Sequence, residues 1–203
     1  KLLIKKYIFA KVNKNKHINI ISLIMNIIEV SDKKFEPYIS QETIETQIHR
    51  IAKEIEADVS EKKPLFLVML NGAFMFAAEL FKNLSMPCEM SFVKYKTYAG
   101  TESTSKSNVL LGLDKKQVSG RDIIVVEDII DSGFTMNELI NDLKANGAAS
   151  VRIATMLFKP NAFKFNYKID YIGLNISNEF IIGYGLDYNE YGRNYKEIYK
   201  IVE

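Results

Sequence analysis

The chain has 203 residues, 27 Lys plus Arg against 25 Asp plus Glu, a formal net charge of +2 and one cysteine. That length suits a single domain, which at this size buries about 70% of the surface its unfolded chain exposes. Cys88 alone excludes an intramolecular disulfide and a Cys-based zinc site, and 47% apolar residues exclude a disordered chain. A reducing, cytoplasmic setting is expected, and no membrane partner, since no apolar run approaches the roughly 18 residues a span requires.

The charge is unevenly spread. Residues 1–24 carry six lysines and no acid, so the remainder holds 21 basic against 25 acidic residues, a net of −4. This segment has no turn chemistry and no clean period of helix or strand. A secretory signal, a basic arm for nucleic acid or anionic membrane, and an extension ahead of a start at Met25 are the competing explanations. The apolar stretch is broken by Asn19 and Asn26 without a small-residue cleavage site, and no Arg accompanies the lysines. Residues 1–24 are therefore expected to lie outside the fold, with residues 25–203 forming the functional domain.

Regular patterns begin at Ser40, which can cap a helix with an apolar stripe of Ile44, Ile48, Ile51 and Ile55. His49 falls off that stripe and is expected on the surface. Leu65 to Leu70 is a short apolar run bounded by breakers, the pattern of a strand buried on both faces. Asn71-Gly72 then turns the chain into a helix from Ala73 to about Leu84. Residues 88–96 suggest a strand and the polar, aperiodic stretch 97–108 a functional loop. Val109 to Leu113 and Asp122 to Val126 follow as strands. Thr135 and Glu138 suggest a capping box for a helix whose face is Met136, Leu139, Ile140 and Leu143, stopped at Gly147. Val151 to Leu157 and Tyr171 to Leu174 complete the strands. Strands alternating with helices predict an α/β domain with a mainly parallel sheet flanked by helices.

In such sheets ligands gather beyond the carboxyl ends of the strands. After the apolar run Ile123 to Val126 come Glu127, Asp128 and, past two isoleucines, Asp131. Three carboxylates so close repel one another, and folding alone gives no reason to collect them. They call for a cation or for hydroxyls to engage. Directly beyond, Ser132, Gly133, Phe134 and Thr135 supply hydroxyls and backbone N–H groups at a helix N-terminus, a place for an anion such as phosphate. A phosphorylated polyol with a metal fits both halves. A plain capped helix with acids near its positive end would account for Thr135 and Glu138 but not for Glu127 and Asp128. Neither a dinucleotide-binding glycine motif nor a P-loop occurs.

The segment VVEDIIDSGFT resembles the phosphoribosyl-pyrophosphate signature of the type I phosphoribosyltransferases. Residues 179–193, EFIIGYGLDYNEYGR, are similar to the C-terminal signature of the hypoxanthine-guanine members, and the resemblance extends from about Phe35 to the end of the chain. An EF-hand reading of Asp187, Asn189 and Gly192 fails, because Ile198 stands where calcium requires a bidentate Glu.

The resemblance implies the type I phosphoribosyltransferase fold, with a small hood and a flexible lid loop. It implies transfer of the phosphoribosyl group from phosphoribosyl pyrophosphate to a 6-oxopurine, with Mg2+ as cofactor. Glu127 and Asp128 would hold the ribose hydroxyls and a metal's waters, and Ser132, Gly133, Phe134 and Thr135 the 5'-phosphate. Asp131 matches the general base, Lys159 the base-recognising lysine, Phe180 the stacking residue and Ile181 a backbone contact to the purine edge. Asp187 would be the direct metal ligand. Asn71, Gly72 and Arg193 would meet pyrophosphate, while Thr97 and Tyr98 would begin the lid. In two places the chain departs from better-known members: Asn71 and Phe134 stand where a lysine is found in some of them. Relatives with this fold are commonly dimers or tetramers, so a homodimer or homotetramer is expected. Xanthine or pyrimidine transfer by the same fold is the main alternative. A nucleic-acid-binding regulator that senses phosphoribosyl pyrophosphate fits poorly, because the body is net acidic, so no nucleic-acid partner is expected.

Overall fold

A computed structural model describes residues 26–59, 62–96, 108–111 and 115–202. The basic segment 1–24 lies outside the described residues, as do Thr97, Tyr98 and the polar stretch they begin.

Ten strands and four helices make up the described chain. They are β1 (Ile28–Val30), β2 (Lys33–Ile39), α1 (Gln41–Val59), β3 (Leu65–Met69), α2 (Phe74–Asn83), β4 (Glu89–Lys96), β5 (Asn108–Leu111), α3 (Lys115–Val118), β6 (Asp122–Ile130), α4 (Phe134–Ala145), β7 (Ser150–Phe158), β8 (Tyr171–Asn175), β9 (Ile181–Ile182) and β10 (Ile198–Ile201). The central sheet runs β5-β4-β3-β6-β7-β8. All its ladders are parallel except the edge pair of β4 with β5. A second, antiparallel sheet, β1-β2-β10-β9, forms the small hood.

The apolar runs fall where both faces are covered. All five residues of β3 are buried, as are Ile123 to Val126 of β6. Helix α1 buries Ile44, Ile48, Ile51 and Ile55, and it packs against α2 and β8. Fully burying one such side chain contributes about 1.5–3 kcal/mol, so this stripe alone fixes the helix on the core. The Ser40 Oγ accepts the Thr43 backbone N–H at 3.3 Å, as its capping role requires. His49 is exposed.

The end of β6 differs from the sequence expectation. Strand β6 continues through the acids to Ile130 because β7 goes on pairing with it, Glu127 opposite Thr155 and Ile130 opposite Phe158. On its other side pairing with β3 stops at Val126. The chain leaves β3 toward β4 on one side and β6 toward β7 on the other, so the gap between β3 and β6 is the topological switch point where ligands bind in α/β sheets.

The hood was legible only through the family resemblance. Its strands are short, and its core is a separate small cluster of Val30, Phe35 and Ile182. Pro37 is accommodated in β2 where the register with β10 shifts between Ile198 and Tyr199.

Candidate active site

A cleft of about 270 Å³ opens at the switch point. Met69, Leu70 and Gly72 line it from the β3 side, and the continuous segment from Glu127 to Met136 lines it from the β6 side. The paired-acid segment and the hydroxyl loop thus share one space.

Glu127 and Asp128 sit where β6 has lost one neighbour. Burial first, then the Asp128 carboxylate, holds the Glu127 carboxyl well above its ordinary value. The backbone partly answers this crowding: the Asp128 N–H donates to Glu127 Oε1 at 3.2 Å, and the Ile129 N–H to Asp128 Oδ1 at 2.9 Å. Gly72 leaves room for the second acid. A Cβ added there would lie 1.7 Å from Asp128 Oδ2. Asn71, between lining residues Leu70 and Gly72, is exposed.

The loop beyond β6 is shaped by Gly133, whose φ of 83° is open to glycine at little cost. Gly133, not Thr135, is the N-cap of α4, so the expected capping box does not form: the helix already begins at Phe134 and Thr135 lies within its first turn. A left-handed residue turns the chain sharply into the helix, whose first N–H groups have no intrahelical partner, an arrangement suited to an anion. The segment after β7 braces this loop. The Lys164 N–H donates to the Ser132 carbonyl at 3.1 Å, and the Tyr167 hydroxyl to the Gly133 carbonyl at 2.9 Å. Phe163 and Tyr167 fill the space a Gly133 side chain would need, each with an atom 2.6 Å from the added Cβ. Burial, with a smaller contribution from Glu127, raises the Tyr167 hydroxyl far above its ordinary pKa, so it remains a donor.

Asp131 lines the cleft, and its Oδ2 accepts from Lys159 Nζ at 2.9 Å. Lys159 is nearly buried at 8% exposure, whereas the Asp131 side chain is half exposed. The lysine follows β7 directly, anchored by its N–H on the Ile130 carbonyl. The expected base and the expected selector of the purine are therefore in direct contact.

The C-terminal signature approaches the cleft through its glycines. A Cβ on Gly185 would lie 1.9 Å from the Gly72 carbonyl oxygen, so the two backbones are in direct contact. Arg193 donates to the Gly185 carbonyl at 2.9 Å, and its Nη2 pairs with Asp187 at 2.7 Å and Glu190 at 3.0 Å. The expected metal ligand and the expected pyrophosphate contact are thus partners of each other. The second Asp187 oxygen accepts the Glu190 N–H at 2.8 Å. Phe180 and Ile181 stand outside the lining of the cleft. Phe180 is 45% exposed and belongs to an aromatic group with Phe35, at 6.3 Å, and Tyr188, at 5.8 Å between ring centres. Ile181 is buried in β9.

Several participants left no signal in the sequence. Tyr188 donates to Asp32 in the β1–β2 turn at 2.8 Å, which ties the hood to the aromatic group. Tyr184, buried with a φ of 50°, donates to Glu79 of α2 at 2.8 Å. Single tyrosines carry no period or spacing that would reveal such pairings, and only the fold brings their partners near.

Residues 38–189 match the model of the phosphoribosyl transferase domain. Fold and site together are those of a phosphoribosyltransferase enzyme. The hypoxanthine-guanine phosphoribosyltransferase of Bacillus subtilis is 36% identical over 157 residues, covering 77% of this chain and 87% of that protein. The one from Streptococcus thermophilus is 39% identical over 156 residues, covering 76% and 86%. A crystal structure of a hypoxanthine-guanine phosphoribosyltransferase from Bacillus anthracis superposes with a TM-score of 0.76 at 32% identity, over 86% of this chain and all of that one. A hypoxanthine phosphoribosyltransferase structure from Staphylococcus aureus gives 0.75 at 29% identity, over 82% and 91%. The chain belongs to the hypoxanthine-guanine phosphoribosyltransferase family, enzymes of purine salvage.

Proposed function

We propose that this enzyme transfers the 5-phosphoribosyl group from phosphoribosyl pyrophosphate to hypoxanthine or guanine, releasing pyrophosphate and the nucleoside monophosphate. The observation that carries this reading is the single cleft in which Asp131, the acid pair and the loop from Ser132 to Thr135 converge, with Lys159 held 2.9 Å from Asp131.

The chemistry breaks the bond from the anomeric carbon to pyrophosphate while a ring nitrogen of the purine attacks that carbon. The sugar passes through an oxocarbenium-like state as the anion leaves. Glu127 and Asp128 accept hydrogen bonds from the ribose hydroxyls and set the sugar's orientation. The N–H groups of Ser132 to Thr135 hold the 5'-phosphate. Asp131 takes the proton from nitrogen 7 of the purine as nitrogen 9 attacks, an assistance that typically contributes about 10² to 10⁴-fold. Its half-exposed carboxylate can reach a ligand while Lys159, buried along its stem, donates to the exocyclic oxygen at position 6. Adenine presents an amino group there and leaves the ammonium unmatched, a mismatch that costs orders of magnitude in selectivity. Phe180 offers a face for stacking, and Ile181 a backbone contact at the purine edge. Gly72, Asn71 and Arg193 meet the pyrophosphate, and Thr97 and Tyr98 belong to the lid that excludes water.

The donor set fits Mg2+. Among the described residues no three acids or histidines lie close enough to cage a metal, but Glu127 and Asp128 line the cleft and Asp187 follows Gly185, whose backbone touches that of Gly72. Magnesium is usually held by one or two carboxylates, with waters and substrate phosphate oxygens completing the shell. When bound, it neutralises charge on the departing pyrophosphate. Asp187 would be the direct ligand, since its lone pairs are not exhausted by Arg193 and Glu190.

Among the described residues no helix is long and apolar enough to cross a membrane. Burial, then Glu56, raises the Cys88 thiol, which suits a reduced cytoplasmic protein. Exposed Met90 and Phe92, two residues apart on one face of β4, and exposed Phe74 at the start of α2 support self-association as a homodimer or homotetramer. The deciding experiment offers hypoxanthine, guanine, xanthine and adenine with phosphoribosyl pyrophosphate and Mg2+ and follows pyrophosphate release. Turnover with hypoxanthine or guanine and none with adenine is expected. No turnover with any 6-oxopurine refutes the reading.

A further inference from the structure

Among the described residues, the charges around the cleft leave the phosphate loop short of side-chain cations. Glu127, Asp128 and Asp131 are acids; Lys159 is paired with Asp131, and Arg193 with Asp187 and Glu190. The loop's own side chains, Ser132, Phe134 and Thr135, are neutral. A phosphate monoester brings up to two negative charges into this setting, and the backbone N–H groups carry only partial positive charge.

Lys164 stands against this loop. Its backbone N–H is bonded to the Ser132 carbonyl at 3.1 Å, which places its Cα beside the loop irrespective of the side chain. Its Nζ lies 5.5 Å from the ring centre of Phe134, the first residue of α4. Among the described residues Lys164 has no ion-pair partner. Phe134 is half exposed yet held in place: Phe165 meets it edge-on at 4.9 Å and 89°. Phe165 in turn stacks on Tyr167, the residue whose hydroxyl fixes the Gly133 carbonyl. The residues that brace the loop thus also position one ammonium above it.

We propose that Lys164 is the side-chain cation for the 5'-phosphate, parked on the Phe134 ring until the phosphate arrives. The proposal rests on the reading of the loop as the 5'-phosphate site. It also gives Phe134 a role, since its ring takes the place of solvent around the ammonium and keeps the charge beside the loop. A solvent-exposed cation–π contact is weaker than a charge-assisted hydrogen bond to phosphate, so the ammonium moves from ring to phosphate on binding. Lysine suits this transfer because its ammonium is a compact charge on a flexible stem.

The test compares Lys164→Met, Lys164→Gln and Lys164→Arg with the parent enzyme, using GMP and guanosine as the two probes in calorimetry. Binding of GMP weakens about tenfold in the Met and Gln variants, the loss expected for one charge-assisted contact, and by no more than about threefold in the Arg variant. Guanosine, which lacks the phosphate, binds all four proteins alike. The KM for phosphoribosyl pyrophosphate rises in parallel while kcat changes by less than about twofold. Adding Phe134→Lys to Lys164→Met restores GMP binding by supplying the cation from the helix itself. Unchanged GMP affinity in both neutral variants overturns the proposal, and so does an equal loss for GMP and guanosine. Failure of the underlying functional reading is distinguishable, because it abolishes GMP binding and transferase activity in the parent enzyme as well.

Discussion

The two halves of the site are built in opposite ways. The proposed phosphoribosyl half is one continuous segment, Glu127 to Thr135, at the end of a strand buried between two parallel neighbours. The proposed purine and pyrophosphate half is assembled from distant pieces: Lys159 after β7, Phe180 and Ile181 in the hood, and Asp187 with Arg193 in the following turns. Its hood rests on a cluster of only Val30, Phe35 and Ile182. A group that must meet a charged, invariant ligand gains from the rigidity of the sheet, whereas a face that admits and releases a flat base can sit on a lighter frame.

The comparison can be broken from either side. The largest effect is expected at the contact between the halves: Asp131→Asn lowers kcat by about 10² to 10⁴-fold with little change in the affinity for phosphoribosyl pyrophosphate. Stopped-flow or steady-state turnover measures it, and an unchanged rate removes Asp131 from the role of base.

Gly133→Ala attacks the rigid half. The added methyl meets Phe163 and Tyr167 at 2.6 Å on a backbone with φ of 83°. Overpacking and left-handed strain together cost about 2–4 kcal/mol. Denaturant unfolding reads the loss of stability, and the KM for phosphoribosyl pyrophosphate rises while that for the base stays within about threefold.

Phe35→Leu attacks the light half. Phe35 is wholly buried and lies 6.3 Å from Phe180, so shortening it loosens the stacking face at a cost of about 1 kcal/mol. Base KM increases about three- to tenfold and that of phosphoribosyl pyrophosphate does not. The reverse pattern would show that the halves are not separable.

The smallest effect has the opposite sign. A raised Glu127 pKa means that the folded protein binds this proton more tightly than the unfolded chain. The stability it contributes is complete below about pH 4.5, the ordinary value, and is lost as pH rises through the folded value. Glu127→Gln removes this titration and gains about 1 kcal/mol at neutral pH while activity falls. Urea unfolding at several pH values should show the parent losing stability over this window and the variant staying flatter.

What the sequence discloses follows the same division. Buried parallel strands such as Leu65–Met69 announce themselves as apolar runs, and Glu127, Asp128 and Asp131 are conspicuous because clustered acids have no structural reason to be there. The cap of α4 was misplaced because a threonine with a glutamate three residues on is a common local signal, while the left-handed Gly133 that takes the role is set by Phe163 and Tyr167, far along the chain. Strand β6 runs on through its acids because β7 pairs with it, a tertiary fact. In the hood, two- to seven-residue strands with mixed polarity have too little pattern to stand out. The pairings of Lys159 with Asp131 and of Arg193 with Asp187 join residues whose separate roles came from resemblance, and their contact appears only in three dimensions.

The central claim is that the two halves act as one site through Lys159 and Asp131, 2.9 Å apart. A double-mutant cycle of Lys159→Ala and Asp131→Asn, read as kcat/KM with hypoxanthine, tests it most directly. Contacting groups in one site should show a coupling of at least about tenfold, so that the double variant is less impaired than the product of the single losses. Losses that multiply without coupling would contradict the account.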